Sequence, residues 1–244
     1  MAIPTYLPYY ILTGSVGIIA AILCGLHKGL VKAGWPTHER TSVVRTTAIV
    51  LIAWFAAAII LALLGAYHAD SDRIPTIQYG IFTPILVGGF LIWRSPSVRR
   101  VIDAVPQQWL VGVQAYRALG VIFLILYATD RLPGVFAWPA GFGDVLVSLL
   151  APIVALAYVR LPHENAGLVS MWNIFGLVDL VVAVTTGILT SPSPLQLFAF
   201  DHPNELITIF PLVLIPVFLV PVSVLLHLAS LLKLCRSSPQ GQMC

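Results

Sequence analysis

Seven apolar runs of membrane-crossing length decide what this chain can fold into, at approximately 7–33, 43–66, 76–93, 108–129, 139–159, 167–189 and 205–234. A helix rises about 1.5 Å per residue and needs about 20 apolar residues to cross a hydrocarbon core. In lipid its backbone polar groups must also be satisfied within the segment. The expected fold is therefore an all-α integral membrane bundle of seven transmembrane helices. The runs leave room for a single seven-span domain over 1–236 and a short tail at 237–244. Composition points the same way, with 59% hydrophobic and only 9% charged residues. Soluble domains carry about 25% charged residues and could not hide so much apolar surface. The opening stretch MAIPTYLPYYILTG has no basic n-region, so the first run reads as a retained span and not a cleaved signal.

Two runs are irregular. The third is the shortest and begins at Pro75; the seventh is the longest and holds Pro211, Pro216 and Pro221. Proline removes a backbone donor, which is tolerated in a span only where neighbours or water satisfy the freed carbonyl. A kinked seventh helix is predicted, with its cytoplasmic end a candidate to leave the membrane.

Orientation follows from where the cations sit. Lys28, Lys32, Arg40, Arg45, Arg94, Arg99, Arg100, Arg160, Lys233 and Arg236 fall on one side, and only Arg73 and Arg131 on the other. The positive-inside rule then puts the N-terminus outside and the C-terminus in the cytoplasm, as in a multi-pass protein of the plasma (inner) membrane. The opposite loops are acidic, with Asp70, Asp72, Asp130 and Asp201. Trp93 and Trp109 sit where an inner aromatic belt belongs, and Trp138 where an outer one does. This asymmetry accounts for the net charge of +3, so nucleic acid is not an expected partner. The expected partners are the bilayer and a small molecule or ion, with a homo-oligomer or a cytoplasmic partner left open.

A shift of 128 residues (203 − 75) lays 75–92 over 203–220 and aligns Pro75 with Pro203, Phe82 with Phe210, and Leu86 with Leu214. One reading is a 3+1+3 plan of parallel repeats, which transporters use. The other is coincidence between two runs rich in Ile, Leu and Phe.

Three spans each carry one ionisable residue where lipid would be expected: Arg117, Asp144 and Asp179. Counting at about 1.5 Å per residue, they lie about 13, 21 and 18 Å from the inner boundary, so they can meet near mid-membrane. Each sits on a polar or small-residue stripe, as Gln114 does with Arg117 and Gly176 with Asp179. The bland reading is a buried ion pair that fixes helix register. The functional reading starts from the mismatch in number: Asp144, Asp179 and Glu205 compete for a single arginine, and a carboxylate left unmatched in a dry site takes up a proton. The remaining polar groups of the outer half, among them Tyr9, Tyr10, Thr13, Gln78, Tyr79, Asn204 and Thr208, are explained by interfacial aromatics and helix caps.

Of the histidines, only His27 and His227 fall within runs, both about 9–10 Å from the inner boundary by the same count. Facing imidazoles of this kind can ligate haem iron, although no CxxCH accompanies them. Cys24, Cys235 and Cys244 form neither a CxxC nor an even extracellular set, so no disulfide framework and no zinc site are expected. No lysine lies at mid-membrane, which leaves a retinal-type Schiff base unsupported. HExxH, GxSxG and Walker A motifs are absent, and the reading leans away from an enzyme.

Together these features point to a small-solute transporter or permease, proton-coupled through Arg117, Asp144 and Asp179, with Gln114 and Glu205 nearby. The alternatives from other classes are a seven-helix ligand sensor working through a cytoplasmic partner, and a haem-binding redox subunit using His27 and His227.

Overall fold

The computed structural model describes residues 3–237, and over them all regular structure is helical. Seven helical spans are long and apolar enough to cross a membrane: Leu7–Lys32, Thr37–Leu63, Ile77–Arg94, Gln107–Ala128, Gly134–Arg160, Ala166–Thr190 and Ile215–Arg236. The first three are α1, α2 and α3, and a short α4 (Pro96–Ala104) follows. The fourth span consists of α5 (Gln107–Gly112), a 3-10 stretch (Val113–Gly120) and α6 (Val121–Ala128). The fifth and sixth are α7 (Gly134–Arg160) and α8 (Ala166–Thr190). The seventh is a π-helical turn (Ile215–Leu219) running into α9 (Val220–Ser237). The tail at 238–244 lies outside the described residues.

Local chemistry sets the ends. Gly34 and Gly65 adopt φ of +71°, the left-handed conformation that terminates helices. Each lets the following amide reach back five residues, Trp35 to the Leu30 carbonyl (3.1 Å) and Ala66 to that of Leu61 (2.9 Å). Ser95 caps α4 by accepting from the Val98 amide, and Pro96 opens the helix. At the other end of α4, the Lys233 ammonium donates to the carbonyls of Ile102, Asp103 and Val105, tying α9 to it. The segment that carries Arg99 and Arg100 between spans three and four is thus an amphipathic helix, with Val98, Val101 and Ile102 turned to the bundle and Arg100 outward.

Span seven is the centre of the bundle. From Leu212 to Leu219 every side chain is buried, and Phe218 is wedged against Trp54 and Phe55 of α2 at centroid distances of 4.8 and 4.9 Å. α3 and α8 pack on α9, while α7 packs on α8 and on all three parts of span four. The exterior is correspondingly apolar, with Ile52 and Leu63 of α2, Leu86 of α3, Ile153 of α7 and Val181 of α8 exposed. An apolar outer face of this extent is that of a protein solvated by lipid.

The seventh run differs most from its expected form. The part expected at the cytoplasmic end is the regular α9, and the disruption lies in the opposite half. There residues 203–214 hold only a 3-10 turn (Leu206–Thr208), with Pro211 and Pro216 preventing a continuous α-helix. The segments aligned by the 128-residue shift accordingly take different local structures, since α3 is an unbroken helix through Pro84. The second run also starts earlier than its hydrophobicity suggests, because the polar THERTS stretch continues the helix to Thr37. Among the cysteines, Cys24 is free and exposed. Cys235 is disulfide-bonded, and Cys244 lies outside the described residues.

Candidate functional site

Arg117, Asp144 and Asp179 meet at one point in the bundle interior. The guanidinium is shared three ways. Nε donates to Asp144 Oδ1 at 2.7 Å, Nη2 to Asp179 Oδ2, and Nη1 to the Gly176 carbonyl at 3.2 Å. The planar fork of arginine suits such a division, since each nitrogen points its hydrogens in a fixed direction. The two carboxylates belong to different helices, α7 and α8, so one cation joins spans four, five and six.

The backbone around the centre is built for close approach. A Cβ on Gly143 would run into the Asp179 carboxylate, and one on Gly176 would come within 2.5 Å of the His227 ring. Glycine at these positions lets α7 and α8 close on the ionic groups. Arg117 itself lies in the 3-10 stretch of span four. In that tighter geometry residues three apart eclipse, so Gln114 and Arg117 lie one above the other. Gln114 is not part of the ionic cluster: it exchanges hydrogen bonds with Ser223, its amide reaching the Ser223 carbonyl and its oxygen accepting from the hydroxyl, each at 3.0 Å. The Tyr116 hydroxyl donates to the Leu219 carbonyl and lies 2.6 Å from Ser223 Oγ, which completes a clasp between spans four and seven.

Toward the cation-rich end, hereafter the basic end, a chain of buried polar side chains leads away from Arg117. Arg117 Nη1 is 3.4 Å from His227 Nε2, and His227 Nδ1 is 2.8 Å from Asn173 Oδ1. A guanidinium only donates, so Nε2 accepts and the imidazole proton sits on Nδ1, facing the Asn173 oxygen. The Asn173 amide donates to Ser230 Oγ at 2.9 Å, and Gln107 donates to the same oxygen at 2.6 Å. Gln107 Oε1 is buried with no partner. Spans four, six and seven are thereby latched together on this side.

Toward the opposite, acidic end, a cavity of ≈ 50 Å³ runs from Asp144 past Ile81, Phe123, Leu180 and Ile215 to Ser191 and Thr208. Asp144 is the ionic residue that opens onto it, its side chain 14% exposed where that of Arg117 is 2%. A second space of ≈ 20 Å³ lies among Arg117, Asp144, Tyr116 and Ser223, beside the π turn. That is room for one water, with four polar side chains within its walls.

Three expectations for other residues are not met. Glu205 is exposed and does not reach the cluster, so it is no competitor for Arg117. His27 and His227 do not share an environment. His27 is exposed on α1, whereas His227 is fully buried with both ring nitrogens facing protein partners. Asn204 is not a helix cap; it is buried and bonded through its backbone and side-chain amides to Thr190. Asn173, Ser230 and Gln107 were missed. A signal for them existed in Ser223, His227 and Ser230, which recur at helical spacing on one face of α9.

The segment that carries this arrangement, residues 74–235, matches the family described as Domain of unknown function (DUF8737). The chain belongs to the DUF8737 family. The matched segment includes Gln107, Arg117, Asp144, Asn173, Asp179 and His227, while α1 and α2 precede it. No curated protein and no solved structure matches the chain.

Proposed function

We propose that this DUF8737 protein is a transporter of a small cationic or neutral solute in the plasma membrane, coupled to proton movement at Asp144 and Asp179. Its N-terminus lies outside, its basic end in the cytoplasm, and the cavity above Asp144 is the outer approach to the site. The observation that carries this reading is the two-to-one ratio of buried carboxylates to arginine at the foot of that cavity. With all three groups ionised the centre holds one uncompensated negative charge, and low-dielectric surroundings make such a charge costly. A proton or a cationic solute removes the cost, and exchange of one for the other is the elementary step of coupled transport.

The two irregular backbone segments support the same reading. The 3-10 stretch of span four and the π turn of span seven flank the centre, and interruptions of this kind recur where spans bend or bind. In the structure a cavity of ≈ 50 Å³ extends from Asp144 toward the acidic end, and the hydrogen-bonded latch from His227 to Gln107 fills the other side. Transport then requires that latch to release when the charge at Asp144 is satisfied.

The test is reconstitution into liposomes that enclose a pH-sensitive dye, challenged with a panel of small amines, amino acids and neutral solutes. At least one solute is expected to drive a pH change in wild type that Asp144→Asn abolishes. Absence of any solute-driven pH change across the panel, or an identical response in wild type, Asp144→Asn and Asp179→Asn, would overturn the proposal.

A further inference from the structure

A second, larger cavity lies at the basic end, away from the ionic centre. It measures ≈ 270 Å³ and is bounded by Leu51 and Trp54 of α2, Ile92 of α3, Val101 of α4, and Leu225 and Ala229 of α9. Its lining is almost wholly apolar, and the hydroxyl of Thr47, which also faces it, is already given to the Val43 carbonyl. Protein interiors are close-packed, and an apolar space of this size next to a bilayer is filled by something apolar. The packing shows where that comes from. α2 rests on α1 and on the π turn, while α3 rests on α9, α4 and the π turn. The two helices are joined through span seven and face each other across the cavity, which Leu26 of α1 and Trp109 of span four also wall.

The rim of this gap is cationic. Arg40, Val44, Thr47, Leu51 and Trp54 succeed one another at four- and three-residue intervals, so Arg40 lies on the cavity face of α2, about two turns toward the basic end from Thr47. Its Nε is buried and has no hydrogen-bond partner. From the other side, Arg99 Nε donates to the carbonyl of Ile92, a cavity residue, at 3.2 Å, which brings its guanidinium to the edge. The acids nearest the gap are taken: Glu39 faces Arg100 at 3.6 Å, and Asp103 pairs with Arg236 at 2.9 Å. Trp35 stacks under Arg100 at 4.4 Å, the kind of aromatic support found at a headgroup level.

We infer that the gap between α2 and α3 binds an anionic phospholipid of the adjacent leaflet, one acyl chain entering the cavity and the phosphate lying between Arg40 and Arg99. A guanidinium nitrogen lacking an acceptor, about two turns beyond an apolar cavity on the same helix face, is complementary to a phosphate attached to a chain. This site is independent of the transport reading and holds for either orientation of the protein.

Native mass spectrometry of the full chain in detergent tests it, with phosphatidylglycerol and phosphatidylcholine of identical chains added in equal amounts. Wild type is expected to retain phosphatidylglycerol in preference. Arg40→Gln should reduce that retention by roughly fivefold or more, since it removes a charge-assisted contact. Arg45→Gln, on the opposite face of the same helix, should leave it unchanged. Thr47→Phe fills the cavity with the cationic rim intact and should also lower phosphatidylglycerol binding. Equal retention of the two lipids, equal losses in Arg40→Gln and Arg45→Gln, or full binding by Thr47→Phe would each overturn the inference.

Discussion

At the scale of single residues, the structure turns on how one guanidinium is divided. Arg117 reaches two carboxylates and a backbone carbonyl, with a ring nitrogen of His227 at longer range. Removing it leaves Asp144 and Asp179 facing each other's charge with no cation between them. Breaking a buried pair by deleting one partner costs about 3–5 kcal/mol, so Arg117→Ala should sharply lower the melting temperature in detergent. Arg117→Lys should recover little of the loss, because a compact ammonium lacks the fixed planar fork that aims separate nitrogens at Asp144, Asp179 and the Gly176 carbonyl. Asp179→Asn keeps one ion pair and an oxygen acceptor, and its effect should be smaller. Thermal unfolding of the three variants is the measurement, and a lysine variant as stable as wild type would show that the fork geometry is dispensable. The cluster itself was legible in the sequence, because charged residues inside apolar runs have few places to go and their depths agreed. The latch from His227 to Gln107 was not. A histidine at that depth fits equally with a headgroup neighbour, a haem ligand or a buried relay, and only its contact with Asn173 decides.

At the scale of elements, hydrophobicity located all seven spans but carried no information on which one is central. Every run is apolar around most of its circumference, since lipid and core favour the same residues, so no moment distinguishes the inner face. What marks span seven is its prolines. They keep 203–214 from forming a regular helix, and that stretch is sustainable in a membrane only when other helices surround it. The burial of Leu212 through Leu219 follows from this requirement. In span four the 3-10 stretch had no comparable signal, because Gly112 and Gly120 at its borders are equally at home in close-packed α-helices. The central role of span seven can be measured at Phe218, which is fully buried and holds α2 through Trp54 and Phe55. Phe218→Ala should destabilise by about 3–5 kcal/mol, the usual range for a large aromatic removed from a packed core. Phe90→Ala, on the lipid-facing side of α3, should change the melting temperature little. Equal effects at the two positions would show that span seven is no more central than α3.

At the scale of the whole molecule, the two ends of the bundle differ in kind as well as in charge. The acidic end has the long irregular connections, over residues 64–76 and 191–214, and the cavity that reaches Asp144. The basic end is closed by the short turns around Gly34 and Pro162, by α4, and by Lys233 bound to the last carbonyls of that helix. Orientation therefore decides from which compartment Asp144 is first reached, and in the proposed orientation, drawn from the distribution of Lys and Arg, that compartment is the outside. Single cysteines can establish it, introduced into a background in which Cys24, Cys235 and Cys244 are serine. Ser71→Cys and Asp201→Cys, at the acidic end, should react with a membrane-impermeant maleimide added to intact cells. Ser97→Cys and His163→Cys, at the basic end, should react only after permeabilisation. A graded pattern is not expected, because all four residues are exposed and lie beyond the ends of the spans. If the accessibilities are reversed, the cavity faces the cytoplasm. The His227–Asn173–Ser230–Gln107 latch then becomes the barrier on the outer side, and a proton reaching Asp144 must come from the cytoplasm.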